Sequence, residues 1–164
     1  MEEDSMNIRL STLWKVPVYC IVTGFLAFNA AIYLISHFAI IQQDGEISSD
    51  PAKVLIIYGL IFAVTLFIGG FVLFRSLTRK EIFISASIVV VFGLVMHLIQ
   101  WKFNLTTGSS AIFFIYVSRI FEWCRIVPQL LFNIIKNSLI CNFIGCLTPY
   151  LFILFGKKAI SAKR

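Results

Sequence analysis

Charged residues are scarce in this chain: 13% of the sequence, against 59% that is hydrophobic. Soluble domains carry about 25% charge, so an ordinary soluble domain is excluded, and a mean hydropathy of +0.92 reads as an integral membrane protein. Acidic residues are scarcer still inside the apolar stretches, where Glu122 stands alone. Paired carboxylates for acid and base work are therefore missing from the membrane segments. No glycine-rich phosphate loop, serine nucleophile elbow or His-Glu-x-x-His helix occurs. The reading assigns no catalytic residue, no metal and no cofactor, and favours a non-enzymatic protein.

The residues that do occur point the same way. Cys20, Cys124, Cys141 and Cys146 all lie in apolar segments without a CxxC pair, so they read as small apolar residues. Cys141 and Cys146 are turned about 140° apart on a helix and cannot bridge within it. His37 and His97 fall near the same membrane surface and could share a polar point, yet two histidines lack the third ligand of a catalytic zinc site. The net charge of +6 comes from basic residues flanking apolar runs. That distribution suits an anionic lipid surface and does not suit nucleic acid.

In chain order, Met1–Lys15 is a polar tail of mixed charge. The uncharged run Val16–Ile41 is long enough to cross a hydrocarbon core of about 30 Å. It passes Ala30 and Ala31 without a cleavage signature and reads as a retained span. Gln42–Lys53 carries turn and helix-start chemistry, with Asp50 placed to cap a helix that begins at Pro51. The second span runs over about 54–74, where Gly59, Ala63 and Gly70 form a small-residue seam for a neighbouring helix. A basic turn, Arg75, Arg79 and Lys80 with Glu81, leads into the third span, about 82–101. After the polar loop Asn104–Ser110 comes a stretch from about 110 to 136, then a fourth apolar run over about 139–156 that contains Pro149. Lys157, Lys158, Lys163 and Arg164 make a basic C-terminal tail suited to anionic lipids.

The stretch from Ser110 to Lys136 is the element that needs explaining. At 100° per residue, Ser118, Glu122, Arg125, Gln129, Asn133 and Lys136 fall within roughly 80°, with Arg119 beside them and an apolar face opposite. Carrying Arg119, Glu122 and Arg125 through a bilayer as an independent span costs on the order of 8 kcal/mol, about what a dozen apolar neighbours return. The distribution of Lys and Arg places both termini in the cytoplasm, with an odd number of crossings between Lys102 and Lys157. The fold expected is an all-α, polytopic integral membrane bundle. It has four transmembrane helices and one amphipathic helix, interfacial or re-entrant, between the third and fourth. A fifth crossing, which puts the C-terminal tail outside, is the alternative.

Arg119, Glu122, Arg125 and Gln129 are the candidate binding residues. Spacings of three let both arginines share the Glu122 carboxylate, and the cluster can then receive a cation, a proton or an anion. The functional expectation is a non-enzymatic component of a membrane complex or transport system in the cell's inner membrane. Four spans enclose little volume, so a solute pathway calls for a homo-oligomer or a partner membrane protein. The alternatives are a membrane-embedded enzyme or lipid-handling protein that uses Arg119, Glu122 and Arg125, and an immunity-type protein that acts by occupying a target.

Overall fold

The computed structural model describes residues 10–43, 46–103 and 109–157. It is almost wholly helical. A single turn, α1 (Leu10–Leu13), precedes α2 (Lys15–Phe38); a two-stranded hairpin, β1 (Ile40–Gln43) and β2 (Glu46–Ser49), leads to α3 (Pro51–Phe67). The helix of α3 continues as a π-helical stretch, Ile68–Phe74, and is followed by α4 (Arg79–Phe103), α5 (Ser109–Ser118), α6 (Ile126–Ile135) and α7 (Ser138–Gly145). Four helical runs are long and apolar enough to cross a membrane: Lys15–Phe38, Pro51–Phe74, Arg79–Phe103 and Ser138–Phe155. Their outer faces expose large apolar side chains such as Leu26, Phe67, Val91 and Leu154, as lipid-facing helices do.

Local chemistry fixes the helix ends. Asp50 caps α3 through its Oδ1, which accepts from the amides of Ala52 and Lys53 at 2.9 and 3.3 Å, with Pro51 in the first turn. Thr78 and Glu81 form a reciprocal capping box at the start of α4: the Thr78 amide donates to Glu81 Oε2 at 2.8 Å and the Glu81 amide to Thr78 Oγ1 at 3.3 Å. The fourth span changes from α-helix to a tighter 3-10 helix after Gly145, with Pro149 in the first turn of the second half. Proline cannot donate to an α-helical ladder, so the break falls where Pro149 predicts it.

Two findings differ from the sequence expectations. Residues 40–49 pair as an antiparallel hairpin, Ile40 opposite Ser49 and Gln43 opposite Glu46, rather than forming only a turn. The stretch 110–136 is not one continuous amphipathic helix. It is α5, a 3-10 segment Arg119–Cys124, and α6, ending at Lys136 in the left-handed region with φ 52°. Pro128 explains the break, because it cannot donate an amide to the carbonyl of Cys124 and so must sit in the first turn of a new helix. The polar N-terminal tail over 1–9, Asp44 and Gly45 of the expected turn, the polar loop over 104–108 and the basic tail over 158–164 lie outside the described residues.

Hydrogen bonds show which ends lie together. The Leu13 carbonyl accepts from Ser85 Oγ at 2.6 Å, and the Lys157 amide donates to the Leu77 carbonyl at 2.9 Å. Leu13 thus meets the first half of α4 and Lys157 the turn before it, so both extremes of the described chain lie at the end where the third span begins. At the other end, Ser49, Pro51 and Ala52 face Phe132, Asn133 and Ser138 across a groove. The segment from α5 to α6 therefore enters the bundle from the hairpin end and leaves by the same end: it is re-entrant. On the way in, Phe121 packs on Gly93 of α4; on the way out, Ile126 meets Gly59 and Pro128 meets Gly145.

The tip of this re-entrant segment is Arg119–Cys124, and it reaches the centre of the bundle. The carbonyls of Arg119 and Ile120 press so closely on Gly24 that a methyl group there would overlap them. At 1.5 Å per residue Gly24 lies about 14 Å from Lys15 and about 21 Å from Phe38. Non-helical backbone at this depth is tolerated because protein surrounds it. Trp123, with no exposed surface, stacks between Phe62 at 5.9 Å and Phe152 at 5.4 Å. Edge contacts tie Phe152 to Tyr19 and Phe74. Gly24→Ala should lower the apparent melting temperature in detergent by about 5 °C or more, since backbone cannot yield. Gly59→Ala, which meets only the flexible end of Ile126 at 3.2 Å, should cost much less. Equal losses in the two variants would contradict the seating of the tip on Gly24.

Candidate functional site

At the tip, α3 and the re-entrant segment bring three polar side chains together. Tyr58 donates its hydroxyl to Glu122 Oε1 at 2.9 Å, and Arg125 Nη1 donates to the same oxygen at 2.8 Å. Glu122 is 7% exposed, whereas half of the Arg125 side chain remains accessible. A buried carboxylate is stable only with such partners, and charge-assisted bonds are the strong ones.

Arg119 does not share this carboxylate, contrary to the expectation from spacing. Six residues of α-helical pitch already set Arg119 about 120° from Arg125, and the tip carries the two guanidiniums to different neighbours. The Arg119 guanidinium instead lies 3.9 Å from the ring centre of Phe28 and 4.2 Å from that of Tyr116. Gln129 stands farther out on α6, its Oε1 buried without a hydrogen-bond partner.

Glu122 and Arg125 wall an inner cavity of about 320 Å³, together with His97 and Gln100 of α4 and Asn142 of α7. Arg125, Pro128 and Asn142 also line the outer groove, about 730 Å³, which opens at the hairpin end beside Gln129, Asn133 and Ser138. The two compartments share Arg125, Pro128 and Asn142 as a common wall and together make up a vestibule on this side of the tip. Trp123, Phe62, Phe152, Phe74 and Tyr19 fill the interior on the opposite side of the tip.

Of the four candidate residues, the structure thus brings Glu122, Arg125 and Gln129 to one vestibule and sends Arg119 elsewhere. The two histidines have separate surroundings. His37 Nδ1 bonds the Tyr33 carbonyl and Ser36, and His97 faces Phe143 from the cavity wall. Sequence reasoning missed Tyr58 and Asn142, which sit within apolar spans and carry no periodic signal, as well as the company His97 keeps. All four cysteines are free and buried, and Cys124 bonds weakly to the Phe121 carbonyl at 3.1 Å.

Comparison with protein-family models, with curated proteins and with solved structures finds no match to this chain. The vestibule is therefore read from its own chemistry. Tyr58→Phe removes one of two bonds to a buried carboxylate and should destabilise the protein by about 1–3 kcal/mol, measured as thermal or denaturant unfolding in detergent. A change within error would mean that Tyr58 does not support Glu122.

Proposed function

We propose that this protein is a non-enzymatic membrane component that receives a small anionic group, a phosphate or carboxylate, in the vestibule. The observation that carries the reading is Arg125. One of its nitrogens is held by Glu122, and half of its side chain is open to a groove rimmed by Gln129, Asn133, Asn142 and Ser138. Such a site combines one fixed cation with several neutral hydrogen-bonding groups, which suits an anion presented by a polar molecule. The aromatic packing behind Trp123 favours a vestibule closed on one side over a through-pathway. A transport role then needs movement of the tip, a partner or a second copy.

Orientation follows from charge. Lys15, Arg75, Arg79, Lys80 and Lys157 lie at the end that holds Leu13 and the turn after Phe74, whereas Lys53, Lys102 and Lys136 lie at the hairpin end. The positive-inside rule assigns the first end to the cytoplasm and opens the vestibule to the outside of an inner membrane. A second reading, a membrane enzyme or lipid-handling protein, is favoured by one observation: His97 and Glu122 share the inner cavity with Arg125. Under that reading His97→Gln abolishes turnover while anion binding persists.

The binding test uses Asn142→Cys, which puts a thiol on the wall common to both compartments. A small soluble maleimide should alkylate it faster than the buried native cysteines, three of which (Cys124, Cys141 and Cys146) line the same compartments, and the rate on the unaltered chain is subtracted. Inorganic phosphate should slow alkylation about fivefold or more at saturation, and Arg125→Gln should remove that protection. Protection only in vesicles containing phosphatidylglycerol would assign the anion to a lipid headgroup. No protection by either source would overturn the reading.

A further inference from the structure

Among the described residues the charge of Arg119 has no counterpart. The single ion pair among them is Arg125 with Glu122, and Arg119 does not wall either compartment of the vestibule. Its guanidinium lies instead on the far side of the re-entrant segment, between Phe28 of α2 and Tyr116 of α5. Phe28 is about 15 Å of helix from Phe38 and about 20 Å from Lys15. That depth is near the middle of a hydrocarbon core about 30 Å thick, beyond the helix-end zone from which arginines snorkel to headgroups. Around it the surface is apolar and open: Phe25, Ile32 and Tyr33 on α2 and Ile112, Phe113 and Tyr116 on α5 are all exposed.

The two rings explain how the cation is held but not how it is satisfied. Two desolvated cation–π contacts offset much of the cost of inserting a central arginine. Aromatic faces accept charge but leave the guanidinium N–H groups without acceptors, and Arg119 Nε is buried with none. An N–H without an acceptor is costly in hydrocarbon.

We infer that the α2–α5 seam at Arg119 is a docking surface for a transmembrane helix of a different protein. That helix carries a carboxylate near its own midpoint, set to pair with the guanidinium in a fork geometry. A second copy of this chain does not meet the requirement. Glu122 is the one acidic residue in its apolar segments, and it is buried and already paired. The aromatic sandwich fixes the guanidinium in advance, so pairing costs little further side-chain freedom. This surface lies apart from the vestibule and does not depend on what the vestibule binds.

The test reconstitutes the full-length protein in phosphatidylcholine vesicles with a synthetic polyleucine transmembrane helix bearing one central Glu. The same helix bearing Gln is the control, and association is read by energy transfer. The Glu helix should associate about tenfold or more tightly than the Gln helix. Arg119→Gln should erase the difference and Arg119→Lys should retain part of it. The Glu/Gln contrast is read on the unaltered chain, so it stands even where an Arg119 variant fails to fold. Equal association of the two helices overturns the proposal. Displacement of the Glu helix by added phosphatidylglycerol also overturns it and assigns the charge to lipid phosphate.

Discussion

A carboxylate placed near the middle of a bilayer persists only where the protein itself supplies its counter-charge and hydrogen bonds, and the arrangement of this chain follows from that need. Glu122 takes both bonds on one oxygen, from Tyr58 on a span and from Arg125 on its own segment. The segment that carries Glu122 must therefore enter the bundle deeply enough to meet Tyr58. Its α-helix gives way to a 3-10 segment at Arg119, and Pro128, which cannot donate to the Cys124 carbonyl, sits in the first turn of the returning helix. The result is a descent, a tight 3-10 tip and a return. The close approach of the tip backbone to Gly24 and the insertion of Trp123 between Phe62 and Phe152 hold it there. All four spans touch this segment, so the buried pair and the packing that encloses it stand or fall together.

The same construction separates two environments for two arginines that are near neighbours in sequence. Arg125 faces a hydrogen-bonding groove reached from the hairpin end, and its charge is compensated within the chain. Arg119 faces outward between two aromatic rings, and its charge has no counterpart among the described residues. On a helix of constant pitch Arg119 already lies beside the polar stripe that carries Arg125, and seating the tip between the spans makes the stripe an internal site and leaves Arg119 on an external one.

Much of the fold was legible because bilayer thickness sets the length of a span. The uncharged runs after Lys15, Lys53 and Glu81 mark three spans to within a turn, and Asp50 with Pro51 marks a helix start through capping chemistry alone. The re-entrant alternative was also legible, through the cost of carrying Arg119, Glu122 and Arg125 across. What periodicity could not give was the break, since a 100° projection assumes the regular helix that Pro128 forbids. Pro128 was the available signal. The Tyr58–Glu122 bond joins residues 64 apart and sits on an apolar span without a polar stripe. The hairpin at 40–49 also escaped, because its four-residue strands, Ile-Ile-Gln-Gln and Glu-Ile-Ser-Ser, carry no alternation of apolar and polar residues.

Re-entry is the claim on which the vestibule, the tip and the outward-facing Arg119 all rest, and sidedness tests it directly. Single cysteines at Ser48, Asn137 and Lys157, each outside the buried core, can be probed with a membrane-impermeant maleimide in intact cells and in inverted vesicles. A re-entrant segment places Ser48 and Asn137 on one face and Lys157 on the other. Labelling of Asn137 from the face that labels Lys157 would mean that Arg119, Glu122 and Arg125 are carried across the bilayer, and would contradict the account.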